Sequence, residues 1–172
     1  DTVVLLIGSA IDGNTARSNG NGSAVASGGG VFTLGNVSAK YGSTISNNTA
    51  VSSLGSAQGG GLFAQSSSSM VEMVRSAVDG NTARSIEGDA LGGGVFTAGN
   101  VSAQDGSTIS HNTAVSVSSN AQGGGLQGNP TSVIDVNRSI IDGNTARSEG
   151  RVAYGGGVVV GGDMNAHSGS TI

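Results

Sequence analysis

One decapeptide recurs through this chain and narrows the folds open to it. It stands as Ser9-Ala-Ile-Asp-Gly-Asn-Thr-Ala-Arg-Ser18, again from Ser76 to Ser85 with Val78, and again from Ser139 to Ser148 with Ile140. Two variants interleave, Ser43-Thr-Ile-Ser-Asn-Asn-Thr-Ala-Val-Ser52 and Ser107-Thr-Ile-Ser-His-Asn-Thr-Ala-Val-Ser116. A further copy opens at Ser170-Thr-Ile172. The Asn-Thr-Ala core begins at 14, 48, 81, 112 and 144, a period of about 32 residues that marks a solenoid of stacked units. Each unit of a solenoid packs on its neighbours alone, so chain length is not limited by one globular core.

Charged residues make up 10% of the chain and glycine 32 of its 172 positions, a balance shared with flexible low-complexity linkers. Linkers do not hold register over five copies, however, and the regular spacing of Ile, Val, Leu and Ala favours a folded repeat. A net charge of −4 excludes the basic footprint that nucleic acid requires. No Lys/Arg cluster is present to draw an anionic membrane surface. The apolar run Val3-Val-Leu-Leu-Ile7 is too short to span a bilayer and lacks a preceding basic segment. It reads as the first strand, and no membrane insertion is expected. With no cysteine there is neither a disulfide frame nor a thiolate metal site, and no cofactor is implied.

Each unit can be written as a coil. An aliphatic residue (Ile11, Ile45, Val78, Ile109, Ile141) leads into the turn that carries the repeated Asn. An alanine column follows (Ala26, Ala57, Ala90, Ala121, Ala153), then three glycines starting at 28, 59, 92, 123 and 155. An apolar residue closes each triplet: Val31, Leu62, Val95, Leu126 and Val158. Short segments such as Val37-Ser-Ala39 and Val101-Ser-Ala103 return the chain to the next Ser-x-Ile. Alternating strands of three to five residues, broken by Gly, Asn and Asp turns and free of helical spacing, predict an all-β parallel β-helix. About five coils of 31–34 residues fit the chain, stacked about 4.8 Å apart. Residues 1–172 are read as a single repeat domain. Without Cβ atoms, the glycines let the chain turn tightly or approach a neighbouring backbone. The corner Asn tolerates left-handed geometry and can hydrogen-bond up the stack.

The motifs Ile11-Asp-Gly-Asn14 and Gly28-Gly-Gly-Val31, with their copies, resemble the Phe-x-x-Asn and Gly-Gly-Ala-Ile repeats of chlamydial polymorphic outer membrane proteins and related surface β-helix proteins. Ile or Val stands here for the family's Phe, and Gly for its Ala. The resemblance implies a right-handed β-helix, secreted or on the cell surface, serving in adhesion or structure. Its partner would be a protein or carbohydrate surface, or a further copy joined end to end. Neither end of the sequence carries a polar cap, so an excerpt of a longer array is expected.

Several constellations invite chemistry. Asp12, Asp79 and Asp142 alternate with Ser46 and Ser110, and Arg17, Arg84 and Arg147 alternate with Val51 and Val115. This spaces like charges about 10 Å apart, near one Debye length; pairing of Asp with Arg inside a coil would add little. Glu72 and Asp135 share a column two coils apart, a spacing open to an inverting glycosidase pair, which makes a polysaccharide lyase or hydrolase one alternative. No enzyme is expected, since such sites interrupt the repeat and this one is regular. Thr15, Thr49, Thr82, Thr113 and Thr145 form an outward ladder, which makes ice binding a second alternative. The neighbouring Arg/Val column and the mixed column Ala10, Thr44, Ala77, Thr108, Ile140 speak against a lattice-matching face. Phe32, Phe63 and Phe96 follow an inward residue and should point outward, as a docking face or under neighbouring loops. His111 and His167 have no second ligand at metal spacing. Asn21, Asn36, Asn47, Asn100 and Asn137 open Asn-x-Ser/Thr sequons, acceptors for glycans in a secreted eukaryotic protein.

Overall fold

A computed structural model describes residues 3–20, 24–167 and 169–172. The chain is a parallel β-solenoid of about five coils, and no helix occurs among the described residues. The first coil sets the pattern with β1 (Val3–Ile7), β2 (Ala10–Asp12), β3 (Thr15–Ser18), β4 (Ala26–Ser27) and β5 (Val31–Thr33). The second coil begins with β6 (Asn36–Lys40), which pairs parallel with β1. Successors of β1 form a six-stranded first sheet; those of β2, β3, β4 and β5 form four sheets of five strands.

Register follows the repeat column by column. Ile11, Ile45, Val78, Ile109 and Ile141 are paired in sequence on the second sheet. Together with inward residues of the first and fifth sheets they form the apolar core. Size is balanced across that core. The first sheet's inward column runs Leu6, Ala39, Met73, Ala103, Val136, while the fifth sheet's runs Val31, Leu62, Val95, Leu126, Val158. In the second and fourth coils the alanine of the first sheet is matched by a leucine on the fifth, and in the first and third a leucine or methionine is matched by a valine, so the two columns partly offset each other in size. The two-coil alternation seen in the surface charges therefore runs through the interior as well.

The other half of each coil is thin. The third and fourth sheets meet through alanines, with Ala26, Ala50, Ala57 and Ala83 in one cluster and Ala90, Ala114 and Ala121 in the next. The glycines of each triplet serve three different ends. Gly59 holds a φ of 59°; a Cβ on Gly60 would sit 2.3 Å from the Gly93 carbonyl oxygen; one on Gly61 would sit 2.8 Å from the Asn81 side chain. The buried serines of the third sheet, Ser52, Ser85 and Ser116, are satisfied by loop carbonyls of the coil before: Ala24, Gly55 and Gly88 accept from their hydroxyls.

Asn14, Asn48, Asn81, Asn112 and Asn144 make a continuous ladder. Asn48 and Asn81 each donate their backbone N–H to the next Oδ1 at 2.9 Å, and each Nδ2 reaches back to a carbonyl of the coil before, Ile11 or Ile45. The left-handed residue is not this Asn, contrary to the sequence expectation. It is the one before: Gly13, Asn47, Gly80, His111 and Gly143 carry φ between 52° and 67°. The ladder Asn turns its side chain inward instead, and its neighbour absorbs the corner.

Candidate functional site

The threonine ladder is in register from Thr15 to Thr145. Its residues lie on the outward side of the third sheet, opposite the buried alanines. The next outward column runs Arg17, Val51, Arg84, Val115, Arg147 in register. Arg17, Arg84 and Arg147 are exposed, so long cations interrupt the face beside the threonines.

The aspartates do not pair with these arginines. Asp12 accepts from Asn47 Nδ2 at 2.9 Å and Ser46 Oγ at 2.8 Å, and these bonds, Asn47 first, hold its carboxyl below its usual pKa. Asp79 meets Ser110 Oγ and His111 Nδ1, each at 2.8 Å, and the His111 contact is the chief cause of its lowered pKa. The partners come from the following coil because the alternation places a hydroxyl, then an amide or imidazole, directly against each carboxylate.

Phe32, Phe63 and Phe96 stack in register on the fifth sheet. Ring centroids lie 5.5 Å apart edge to face for the first pair and 4.9 Å apart, stacked, for the second. Only Phe32, 51% exposed, is open to solvent; Phe63 and Phe96 are 6% and 9% exposed. The aromatic column is therefore mostly a stacking seam. Gln127 and Val159 continue it in register.

The first sheet carries the most varied outward face. A groove of about 400 Å³ runs across it, lined by Asn36, Ser38, Met70, Glu72, Ser102 and Gln104 among others. Glu72 is tied down on both sides: Lys40 Nζ lies 2.8 Å away and Ser38 Oγ donates at 2.8 Å. These contacts, Lys40 first, lower its pKa, and the same pair raises that of Lys40. Asp135 is two strands on, with Ser102 between them, and His167 Nε2 stands 3.3 Å from its Oδ1. The shared column of the two carboxylates is thus real, while each faces its own cationic or imidazole neighbour.

One constellation escaped the sequence. Between the first and second sheets the chain turns a corner at Gly8, Tyr41, Arg75, Asp105 and Arg138, all with φ between 49° and 56°. Four of the five are not glycine, in a region that costs such residues roughly 1–2 kcal/mol each. Backbone bonds stack them: Gly8 N–H donates to Lys40, Tyr41 to Val74, Arg75 to Gln104 and Asp105 to Asn137. The Arg75 guanidinium lies 5.1 Å from the centroid of the Tyr41 ring, a cation–π contact. Arg138 forms an ion pair with Asp105. Shallow hollows of about 160 Å³ and 390 Å³ flank Arg75, the second lined also by Asp105 and Arg138. The available signal was positional: each of these residues precedes Ser9, Gly42-Ser43, Ser76, Gly106-Ser107 or Ser139.

Of the sequons, Asn47 is exposed, and Asn36, Asn100 and Asn137 are half-buried on the first sheet. Asn36 and Asn100 use Oδ1 to accept from Met70 and Val133 N–H groups, each at 2.9 Å. Asn21 lies outside the described residues. No group of three or more metal-binding side chains gathers among the described residues. Comparison of the chain with protein-family models, with curated proteins and with solved structures gave no match.

Proposed function

We propose that this solenoid is a non-enzymatic structural and adhesive module of a secreted or cell-surface protein, with a protein or carbohydrate surface as its partner. The observation that carries this reading is the unbroken run of ladders. Asparagine, glycine and alanine columns pass through coil after coil, so the molecule offers a rigid rod with long repeating faces rather than one interrupted cleft. The carboxylate best placed for glycoside chemistry fits the same view. Glu72 is held ionised by Lys40 and Ser38, whereas a general acid needs a raised pKa. The motif resemblance to outer-membrane adhesin repeats points in the same direction. The test is incubation with pectic, alginate, glucan and chitin polymers, read as new reducing or unsaturated ends, beside binding to the same polymers and to proteins immobilised on a surface. Binding without cleavage is expected; turnover that disappears in Glu72→Gln would make the module an enzyme.

Ice binding keeps one specific observation in its favour, the in-register threonine column. Thermal hysteresis lost on Thr82→Tyr would establish it. The exposed arginines beside that column make no hysteresis the expected result.

A further inference from the structure

We propose that the corner stack Tyr41, Arg75, Asp105 and Arg138 is a rail for a linear acidic polysaccharide. Carboxylate or sulfate groups dock on Arg75 and Arg138, and a sugar ring lies against Tyr41. The inference rests on the adhesive reading above and names its partner class.

The backbone does not require these side chains. Gly8 makes the same left-handed turn in the first coil with φ 52°, and a glycine in any later coil would make it with less strain. Four large or charged residues stand there instead, and strain held at one place in a regular fold marks a place where side chains are needed for something else. What they offer is coherent. Tyr41 is 58% exposed and supplies an aromatic surface. Arg75 rests on that ring and has no ion-pair partner among the described residues, so its N–H fork is open to an anion. Asp105 fixes Arg138 through their ion pair and retains lone pairs for sugar hydroxyls.

Spacing selects the ligand. Arg75 and Arg138 are two coils apart, about 10 Å along the axis, a step comparable to one disaccharide of an extended glycan. An acid group on every second sugar would meet both. Double-stranded nucleic acid carries a charge about every 1.7 Å of its axis, far denser than this rail. The hollows on either side of Arg75 give the neighbouring rings room to lie against the corner.

The test uses the whole chain in calorimetric titrations with two acidic probes, an oligogalacturonate and a chondroitin sulfate oligosaccharide, each long enough to span three coils. Neutral dextran is the control. At least one acidic probe should bind saturably and dextran should not; which one binds tells carboxylate from sulfate. Arg75→Gly and Arg138→Gly should each lower affinity roughly tenfold, the loss of one charge-assisted hydrogen bond. Glycine suits this corner, so both variants should keep the circular dichroism and melting temperature of the parent. Arg84→Gln, on the third sheet, should bind as the parent does. Failure of both probes to bind, or binding indifferent to Arg75→Gly and Arg138→Gly, overturns the rail. Either failure leaves the adhesive reading intact when the chain still holds immobilised polymers or proteins by another face. Cleavage of either probe would instead remove the non-enzymatic reading.

Discussion

Two corners of each coil use the same left-handed backbone and treat their side chains in opposite ways. At the corner leading into the third sheet, the turning residue alternates: Gly13, Asn47, Gly80, His111, Gly143. A Cβ on Gly80 would lie 3.0 Å from the Asn47 side chain, and one on Gly143 would lie 3.0 Å from the His111 ring. Each side chain occupies the space its glycine neighbour leaves. At the corner leading into the second sheet no such alternation exists, and Tyr41, Arg75, Asp105 and Arg138 follow one another without relief. The first corner is governed from inside, by the asparagine ladder just beyond it. The second has a serine beyond it whose hydroxyl caps a local carbonyl, as Ser43 does for Lys40 and Ser107 for Gln104. Interior hydrogen bonds therefore fix residue identity at one corner and leave it free at the other, where the outer surface can make its own use of it.

Asn81→Ala should break the first corner with the largest effect. It removes the acceptor of the buried Asn48 N–H and the donor to the Ile45 carbonyl, and it strips one donor from Asn112 Oδ1. Each orphaned buried group costs about 1–3 kcal/mol, so a loss of about 4 kcal/mol is expected in urea or thermal unfolding. A loss below about 1 kcal/mol would mean that the ladder does not govern this corner and would dissolve the contrast.

Arg75→Gly tests the second corner by stability rather than binding. Relief of left-handed strain gains roughly 1–2 kcal/mol, while the more flexible unfolded chain returns about 0.4–1 kcal/mol and the Tyr41 contact is lost. These contributions nearly cancel, so the expected net change is within about 1 kcal/mol of the parent. The sharper form of the comparison is the pair of variants together: a severe loss at Asn81 and almost none at Arg75. A comparable loss at both would place the arginine among the structural residues of the coil.

The same division explains what could be read in advance. Columns of identical residues (Asn14 to Asn144 and the glycine triplets) announce themselves because the interior demands the same atom at the same height in every coil, and the outward column Thr15 to Thr145 is carried in the same repeat. Their pairings in the structure follow that reading closely. Burial of Phe63 and Phe96 was not legible, since alternation says which side of a strand a residue takes and not whether its neighbours along the axis will cover it. Pairing of an aspartate with the arginine of its own coil was only one option in the sequence, and Asp12 and Asp79 instead take partners from the following coil. That choice depends on side-chain reach across coils. The Tyr41–Arg138 corner was hidden for a plainer reason: four residue types over five positions form no sequence column, and Gly42 and Gly106 lengthen the turn in every second coil.

The smallest expected effect concerns pH and belongs to the first corner. Contact with His111, then the hydroxyl of Ser110, lowers the pKa of Asp79 from its ordinary 3.8. A carboxyl with a depressed folded pKa stabilises the fold fully above its unfolded pKa, and that contribution is lost as pH falls through the lower folded value. Stability should therefore fall below about pH 4 more steeply in the parent than in Asp79→Asn. Asp79 is nearly half exposed, so solvent screening limits the difference to less than about 1 kcal/mol. His111→Asn recreates the arrangement of Asn47 with Asp12, whose carboxyl is lowered by an amide instead of an imidazole. Melting curves of the three proteins at neutral and acid pH would show which donor matters. If His111→Asn keeps the parent's acid slope, the ring acts only as a hydrogen-bond donor that fills the space over Gly143. If the slope flattens, positive charge on the imidazole contributes as well, and the alternating corner carries an electrostatic share that its asparagine version lacks.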